Sequence, residues 1–504
     1  MFCPGIPGAG KTIIASIVVD ELESRYGNES DDGIAYIFYS FQRHDDQSQK
    51  LESLMASIVR QLAQGLSSLP EIIESLHEKH RIKGTRPSVH KISIALQFII
   101  GRFSRLFIIV DALDEVTLSP YHNYLMFRNM PTLEIRAAKV DAMEYLSYNL
   151  HKPPLFVSRD PQLQQDIVTN ITNSVDGMFL LAQLYLHSLV GKISPRAIKS
   201  RPNDRISSSK TYDSAYDNVI DRINGQVTDL KNMAWDVLTW ITCANRLPTT
   251  VELKHALAVE PDESEFHEDN IPDLDDIVSV CAGLVTVTPD ASGDIIRLVH
   301  YTAQEYFERT WSRWFPDGHS NIAALCVTYL SFDSFQKGIC LTDADFEARL
   351  DEYPLYSYAA KHWGNHAREQ RIKERVMMSL LENTPKRHAC VQGIFALRSY
   401  SSYGDYILQV PLGFTGSHLA AYFGLTSAVR IITSQCDESY MVDSMGRVSL
   451  EWAAYNGHHA VVKFFLENGV NPSEMDGGGR TPLSLAASMG WFDVVCEPPT
   501  GISR

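Results

Sequence analysis

Near its C-terminal end the sequence repeats itself with a fixed step, and this repeat constrains the fold more than any other feature. Each repeat contains a pair of alanines followed by a glycine. The pairs are Ala420-Ala421, Ala453-Ala454 and Ala486-Ala487, and the glycines are Gly424, Gly457 and Gly490. Both series advance by 33 residues, a period typical of stacked helical pairs. Two unrelated amphipathic helical pairs would not keep this register twice.

The stretch RTPLSLAA (Arg480–Ala487) is close to the T-P-L-H-x-A signature of ankyrin repeats. Small alanines let two helices pack closely, and each glycine is expected to end the first helix of its pair. We therefore predict about three ankyrin repeats over residues 406–504, which bind a protein partner. The third repeat runs into CEPPTGISR, whose prolines cannot continue a helix, so we expect it to be incomplete.

The other end of the chain carries a phosphate-binding pattern. Gly5–Thr12 (GIPGAGKT) fits G-x-x-x-x-G-K-[ST], and helical periodicity follows directly. In such a loop the backbone N–H groups surround phosphates, the lysine contacts the β- and γ-phosphates, and the hydroxyl binds Mg²⁺. The predicted nucleotide-binding residues are Gly5, Pro7, Gly8, Ala9, Gly10, Lys11 and Thr12, with Thr12 also a Mg²⁺ ligand. The alternative is a glycine-rich turn that happens to precede a helix.

A second motif, LFIIVDALDEV, follows at residues 106–116. We expect Asp111 at the carboxyl end of a buried strand, where its carboxylate holds Mg²⁺ directly or through water. Asp114 and Glu115 are then placed to orient or deprotonate an attacking water. The alternative is a strand that ends in a solvated acidic turn. Strands alternate with helices here, which predicts an α/β P-loop NTPase core with a parallel sheet over residues 1–140.

Only four residues precede Gly5, whereas a phosphate loop follows a buried strand. We therefore expect the α/β core to be truncated at its first strand.

Between the two ends the chain is predicted to be mostly helical. Residues 141–225 are a predicted helical domain and linker, in which the polar run Arg201–Asp217 is interpreted as a linker or loop. Residues 226–310 contain two helices around a Pro-containing turn, then two strands and a helix, which predicts a winged-helix domain. Residues 311–405 are a predicted helical linker domain.

Charge and cysteine usage exclude several classes of protein. The net charge of −16 disfavours general nucleic-acid binding. The eight cysteines are scattered without a C-x-x-C pair, which disfavours a disulfide framework or a structural zinc site. No signal-peptide pattern is present, and no stretch reaches the roughly 18 unbroken apolar residues of a membrane helix. We expect a cytoplasmic protein that binds no nucleic acid and does not insert into membranes.

In combination, the phosphate loop, FIIVDALDE, the stretch IIRLVHYTAQEYF (Ile295–Phe307) and the terminal ankyrin repeats resemble the fungal NACHT–ankyrin proteins. These proteins belong to the STAND class of signal-transducing P-loop NTPases and are relatives of the NOD-like receptors. The N-terminal part resembles the nephrocystin-3 type of NACHT domain. The resemblance covers nearly the whole chain and follows the domain order of the family.

The resemblance implies a nucleotide-operated switch with ATP or ADP and Mg²⁺ as cofactors, weak hydrolysis, and the ankyrin repeats as sensor. Resting members of the class hold ADP. Activation admits ATP and leads to homo-oligomers that engage an effector, in self/non-self recognition or heterokaryon incompatibility. The resemblance also implies that His300 contacts the β-phosphate of ADP. The alternative for His300 is a core or surface histidine whose hydrogen bonds go to backbone carbonyls.

The sequence departs from the family pattern at two further points. The strand that ends in an arginine and reads the γ-phosphate has no clear counterpart, and its loss should harm hydrolysis more than binding. Arg128 is a candidate replacement, whereas Arg159 is interpreted as an ordinary surface residue. Phe179 stands where many relatives outside the fungal group have a proline that packs on adenine, so ATP rather than GTP rests on analogy.

Three interpretations stay open. The chain is a nucleotide switch, a non-catalytic ankyrin scaffold with a decayed NTPase core, or a partial gene product of a normal family member.

Overall fold

The computed structural model describes residues 11–27, 31–38, 51–66, 68–83, 87–111, 139–150, 153–174, 179–187, 189, 194–199, 208–261, 263–290, 293–370, 372–396, 410–436 and 438–495. The chain divides into two compact units. The first comprises Met1–Asn224, Ala282–Leu284 and Leu298–Tyr306. The second comprises Gly225–Cys281, Val285–Arg297 and Phe307–Arg504.

The first unit begins with a helix and a parallel two-stranded sheet. Its elements in chain order are α1 (Lys11–Tyr26), β1 (Asp32–Phe38), α2 (Leu51–Gln64), α3 (Glu71–Lys83), α4 (Val89–Ile100) and β2 (Arg105–Asp111). The two strands pair with Asp32 opposite Arg105 and Phe38 opposite Asp111. A parallel pair needs a long crossover connection, and helices α2 to α4 supply it.

Helices cover both faces of this sheet. On one face, Ala35 of β1, Leu62 of α2 and Ile99 of α4 form a buried apolar cluster. On the other face, Tyr26 at the end of α1 stacks on Phe107 of β2, with ring centroids 5.2 Å apart. Side chains alternate between the two faces along a strand, so each strand contacts both helical layers.

A side chain closes the outer edge of β1. The amide of Gln61 on α2 accepts a hydrogen bond from the Tyr36 N–H and donates one to the Tyr36 carbonyl, both at 3.0 Å. A neighbouring strand would make these same bonds, so Gln61 prevents another strand from adding beside β1 at this position.

The other described elements in residues 139–224 are helices. They are α5 (Lys139–Tyr148), α6 (Leu155–Ser158), α7 (Pro161–Ser174), α8 (Phe179–His187), α9 (Pro195–Lys199) and α10 (Ser208–Asn224). The prediction of a linker or loop over Arg201–Asp217 is wrong from Ser208 onward, because α10 begins there. The polar start of α10 conceals an apolar face at helical spacing. Its buried residues include Tyr216, Val219, Ile220 and Ile223.

The second unit contains most of a winged helix. Its elements are α11 (Thr228–Cys243), α12 (Thr250–Leu257), α13 (Leu274–Val280) and the hairpin strands β3 (Val285–Thr288) and β4 (Ile295–Leu298). A capping box starts α12, because the Thr249 hydroxyl accepts from the Glu252 N–H at 3.2 Å and the Glu252 carboxylate accepts from the Thr249 N–H at 2.8 Å. Thr249 also forms an antiparallel bridge with Ile295. The wing is therefore tied to the start of α12.

A helical region follows the wing. It contains α14 (Tyr301–Arg309), α15 (Trp311–Trp314), α16 (Gly318–Leu330), α17 (Asp343–Glu352), α18 (Tyr356–Glu369), α19 (Glu374–Glu382) and α20 (Thr384–Phe395). Where α16 packs against α18, Nδ1 of His319 lies 2.7 Å from Nδ1 of His366. Nε2 of His366 lies 2.9 Å from the Tyr358 hydroxyl. One facing nitrogen must donate and the other accept, so this geometry does not tolerate protonation of both rings.

The C-terminal part of the second unit consists of helical pairs. They are α21 (Gly416–Phe423) with α22 (Thr426–Gln435), α23 (Ser449–Tyr455) with α24 (His459–Glu467), and α25 (Pro482–Met489) with α26 (Phe492–Val495). The predicted glycines Gly424, Gly457 and Gly490 have φ values of 75°, 76° and 80°. Only glycine adopts this left-handed conformation at little cost, so each one stops its helix. The ankyrin repeats are confirmed.

The chain is thus a helical multidomain protein with a winged helix and ankyrin repeats, as the sequence predicts. The α/β P-loop core is not confirmed, since β1 and β2 are the only strands that the described residues of the first 224 positions contain. Within the described ranges, no helix is long and apolar enough to cross a membrane.

Candidate functional site

Lys11 and Thr12 form the first turn of α1. The first N–H groups of a helix lack partners within it, and together with the helix dipole they favour an anion at this position. Lys11 is half-buried and Thr12 is exposed. The preceding loop residues predicted to bind nucleotide lie outside the described residues and stay a prediction; they are Gly5, Pro7, Gly8, Ala9 and Gly10.

Asp111 is the last residue of β2 and is only 8% exposed. Among the described residues, none forms a hydrogen bond or ion pair with its carboxylate. Helix α1 has 16 residues and rises about 24 Å, whereas β2 has 7 residues and rises about 23 Å. Tyr26, the last residue of α1, packs near the start of β2, so α1 runs antiparallel to β2. Lys11 at the start of α1 and Asp111 at the end of β2 therefore lie at the same end of this layer.

An ion pair fixes the opposite end of the sheet. Arg105 donates through Nε and Nη2 to the two carboxylate oxygens of Asp32, at 2.9 and 2.7 Å. The side chain of Asp32 is 2% exposed. The Arg105 guanidinium also lies 4.6 Å from the centroid of the Tyr26 ring. Since Tyr26 ends α1, this clamp joins α1 to both strands and so determines where Lys11 lies.

His300 follows β4 and belongs to the first unit. Its Nδ1 accepts from the backbone N–H of Thr302 at 3.2 Å and lies 3.0 Å from the Thr302 hydroxyl. Because Nδ1 accepts, the neutral ring carries its proton on Nε2. The Thr302 hydroxyl lies 2.7 Å from the hydroxyl of Tyr216 on α10. Helix α10 therefore fixes the orientation of the His300 ring through Thr302.

A second contact holds the same segment. The hydroxyl of Tyr306 donates to Asp217 at 2.7 Å, and the rings of Tyr216 and Tyr306 are 5.2 Å apart. Sequence reasoning missed Tyr216 and Asp217 because it interpreted the start of α10 as a loop, and it did not single out Thr302 beside His300. The apolar periodicity that begins at Tyr216 was the available signal.

His300 and Lys11 are close enough to interact electrostatically. The pKa of His300 is lowered to about 4, first by burial and second by the positive charge of Lys11. The imidazole is therefore neutral at pH 7 and can donate a hydrogen bond from Nε2 without carrying charge. The structure thus places the histidine of the winged-helix motif within electrostatic range of the lysine of the phosphate-binding pattern.

The remaining candidates are distributed as follows. Asp114, Glu115 and Arg128 lie outside the described residues. Arg159 is exposed at the end of α6. In the part of the chain that the structure describes, no group of three or more His, Cys, Asp or Glu side chains is arranged to hold a metal ion.

The turns of the ankyrin repeats form a second candidate site. Oδ1 of Asp443 accepts from the Arg447 N–H at 3.0 Å, and Oδ1 of Asp476 accepts from the Arg480 N–H at 2.9 Å. Nε of Arg447 donates to Asp476 at 3.2 Å and joins successive turns. Exposed apolar side chains flank these turns, namely Leu412, Met441, Val442, Met445 and Met475. Apolar surface on rigid turns is what a protein partner can bury.

Three family models match separate parts of this chain. Nephrocystin 3, N-terminal, matches residues 1–132. The winged helix domain of GPI inositol-deacylase matches residues 222–312. The model of ankyrin repeats in three copies matches residues 413–497. Together these matches support a NACHT–ankyrin-like architecture.

A curated relative matches a short part of the chain. "Ankyrin repeat family A protein 2" of Mus musculus is 45% identical over 51 residues, which are 10% of this chain and 16% of that protein. The chain therefore matches only a small part of that relative's length.

Proposed function

We propose that the chain is a nucleotide-operated switch of the STAND class, similar to the fungal NACHT–ankyrin proteins and located in the cytoplasm. It binds ATP or ADP with Mg²⁺, forms homo-oligomers on activation, and binds a protein partner through its ankyrin repeats. The observation that carries the proposal is that the charge of Lys11 acts on His300 within one unit. The ankyrin repeats suggest protein interaction, and the similarity to nephrocystin 3 hints at a nucleotide-related role.

The described residues fit a phosphate group and Mg²⁺. Asp111 is 8% exposed, and a carboxylate at so low an exposure is costly unless a cation or hydrogen-bond donors compensate its charge. Thr12 and Asp111 would hold Mg²⁺, and Lys11 would hold phosphate oxygens. His300 would donate from Nε2 to the same phosphate.

The residues around His300 then determine how the switch changes between its ADP-bound and its ATP-bound state. When bound, nucleotide and metal supply a hydrolysable phosphate and a charge that differs between ADP and ATP. Thr302 fixes Nδ1 of His300 as an acceptor, so the proton of the neutral ring stays on Nε2. With phosphate bound, Lys11 and His300 would together hold the winged-helix motif near α1, and loss of the His300 contact would release it. Asp114 and Glu115 remain the candidates that position water for weak hydrolysis.

The nucleotide content of the purified chain tests this proposal. After gel filtration the protein is denatured, and released nucleotide is identified by anion-exchange chromatography. We expect ADP in the wild type and at least about ten-fold less in Lys11→Ala, because a charged hydrogen bond contributes about 1.5–3 kcal/mol. Lys79→Ala is the matched control, since Lys79 is exposed on α3. Wild-type protein that contains no nucleotide and binds no added ADP contradicts the proposal.

One observation favours a second function, a non-catalytic ankyrin scaffold. Ile13 and Ile17 on α1 are 67% and 60% exposed, whereas an α/β core of the expected size would cover apolar side chains of this helix. A folded chain that binds its protein partner equally well with and without Lys11 or nucleotide supports the scaffold.

A further inference from the structure

A cleft of about 240 Å³ opens in the second unit between α18 and the first two ankyrin repeats. The side chains that carry its chemistry are Lys361, Asn365, Arg368, Asn456 and His458. None of the described residues that line it is acidic. The cleft is separate from Lys11 and His300, which belong to the first unit.

Three of these residues share one face of α18. Lys361, Asn365 and Arg368 stand at positions i, i+4 and i+7 of the helix Tyr356–Glu369, a spacing that places side chains in one row. The row therefore presents an ammonium group, an amide and a guanidinium along the cleft.

Lys361 forms no direct ion pair with any residue that the structure describes. Among the described residues none forms a hydrogen bond or ion pair with its ammonium group. Glu252 acts on it electrostatically, but the carboxylate of Glu252 already accepts from Arg246 at 2.7 Å and from the Thr249 N–H at 2.8 Å. Burial, and then the charge of Arg246, lower the pKa of Lys361. A half-buried cation of this kind is costly unless an anion binds to it.

Arg368 is held in place by the first two repeats. Its Nη1 lies 3.4 Å from the Phe423 carbonyl oxygen and 3.5 Å from Nδ1 of His458. Nε2 of His458 donates to the Tyr422 carbonyl at 2.9 Å, so its Nδ1 is free to accept from the guanidinium. Burial and the charge of Arg368 lower the pKa of His458 to about 4, which keeps the ring neutral. His458 thus positions Arg368, and the other guanidinium N–H groups are available to a ligand.

We propose that this cleft binds an oxyanion, a phosphate or a carboxylate, between the ammonium group of Lys361 and the guanidinium of Arg368. Asn365, between them on the helix, adds an amide donor. At roughly 30 Å³ per water molecule, the cleft volume is about eight waters, which is enough for a phosphate group and part of its carrier. A bound oxyanion joins α18 to the ankyrin repeats, so it stabilises their junction.

Calorimetric titration tests this site with inorganic phosphate and, separately, with acetate at matched ionic strength. The 504-residue chain carries Lys11→Ala, so that the phosphate-binding pattern of the first unit does not contribute. We expect saturable binding that Lys361→Gln weakens at least about ten-fold. Lys463→Gln, exposed on α24 outside the cleft, leaves binding unchanged. Binding of phosphate alone identifies a phosphate site, and comparable binding of acetate identifies a carboxylate site.

Two results overturn the proposal. One is the absence of binding by both anions, or equal binding in Lys361→Gln and its parent. The other is a lowered thermal midpoint of Lys361→Gln in the absence of added anion. The proposal expects that removal of an unpaired charge leaves this midpoint unchanged or raises it. A clearly lowered midpoint in Lys361→Gln would show that the ammonium group has a structural partner.

Discussion

Replacement of Gly457 by alanine should weaken the contact between the second and third ankyrin repeats. Gly457 has a φ of 76°, and an added Cβ would lie 2.8 Å from Cε2 of Trp491 and closer still to Cδ2. Nε1 of Trp491 donates to the Tyr455 carbonyl at 2.9 Å, so the indole cannot move away without losing this bond. Left-handed strain costs about 1–2 kcal/mol and overpacking about 1–3 kcal/mol more. Gly457→Ala should therefore lose about 2–5 kcal/mol.

Gly490 provides the matched control. It occupies the same position one repeat later with a φ of 80°, but no described atom lies within 4 Å of a Cβ added there. Gly490→Ala should cost the backbone strain alone, about 1–2 kcal/mol. The difference between the two variants measures the contact with Trp491.

Hydrogen-exchange mass spectrometry of the full chain measures this difference when each variant is followed in the helix that its glycine ends, α23 for Gly457→Ala and α25 for Gly490→Ala, because amide exchange reports the local opening free energy. We expect the acceleration of exchange over the wild type to be roughly 5- to 150-fold larger in α23 of Gly457→Ala than in α25 of Gly490→Ala, which corresponds to about 1–3 kcal/mol. Equal acceleration in the two variants would refute the reasoning, since Trp491 would then contribute nothing to the junction.

Three further predictions concern pH and the contacts around the candidate site. Burial and neighbouring histidines lower the pKa of His366 to about 3 from its ordinary 6.5. The folded state is therefore fully stable above about pH 6.5 and loses stability as the pH decreases, and urea unfolding should show a loss of about 2 kcal/mol at pH 5. A free energy of unfolding that stays constant from pH 7 to 4 would argue against this prediction. Arg105→Met leaves the buried carboxylate of Asp32 unpaired and should cost about 2–4 kcal/mol in the unfolding of the first unit; an unchanged thermal midpoint would show that the clamp is dispensable. Tyr216→Phe removes the hydroxyl that orients the His300 segment, and should cost about 1 kcal/mol and speed ADP release; an unaltered release rate would separate α10 from nucleotide binding.

The ankyrin repeats could be predicted from sequence because their signals are local. Every repeat needs a glycine in the left-handed conformation after its alanine pair, so this glycine recurs every 33 residues and can be recognised in the sequence. The bond from Arg447 to Asp476 could not be predicted, because it depends on one repeat packing against the next.

The candidate site was predicted residue by residue but not as an arrangement. Motifs pointed to Lys11, Asp111 and His300 separately, whereas the proximity of Lys11 to His300 depends on how distant segments fold together. The partners Arg105 and Asp32 are 73 positions apart, and neither carries a motif. Helix α10 was interpreted wrongly because its polar first turns precede the buried face that begins at Ala215 and Tyr216.

The affinity for ADP of four proteins tests the central claim, that Lys11 and His300 together hold one nucleotide phosphate. The proteins are the wild type, Lys11→Ala, His300→Ala and the double variant, measured by calorimetry with Mg²⁺. Each single substitution should weaken binding about ten-fold or more. The double variant should lose less than the product, with a coupling of about 1 kcal/mol, because both side chains contact the same group. Equal ADP affinity in the wild type and both single variants would contradict the claim.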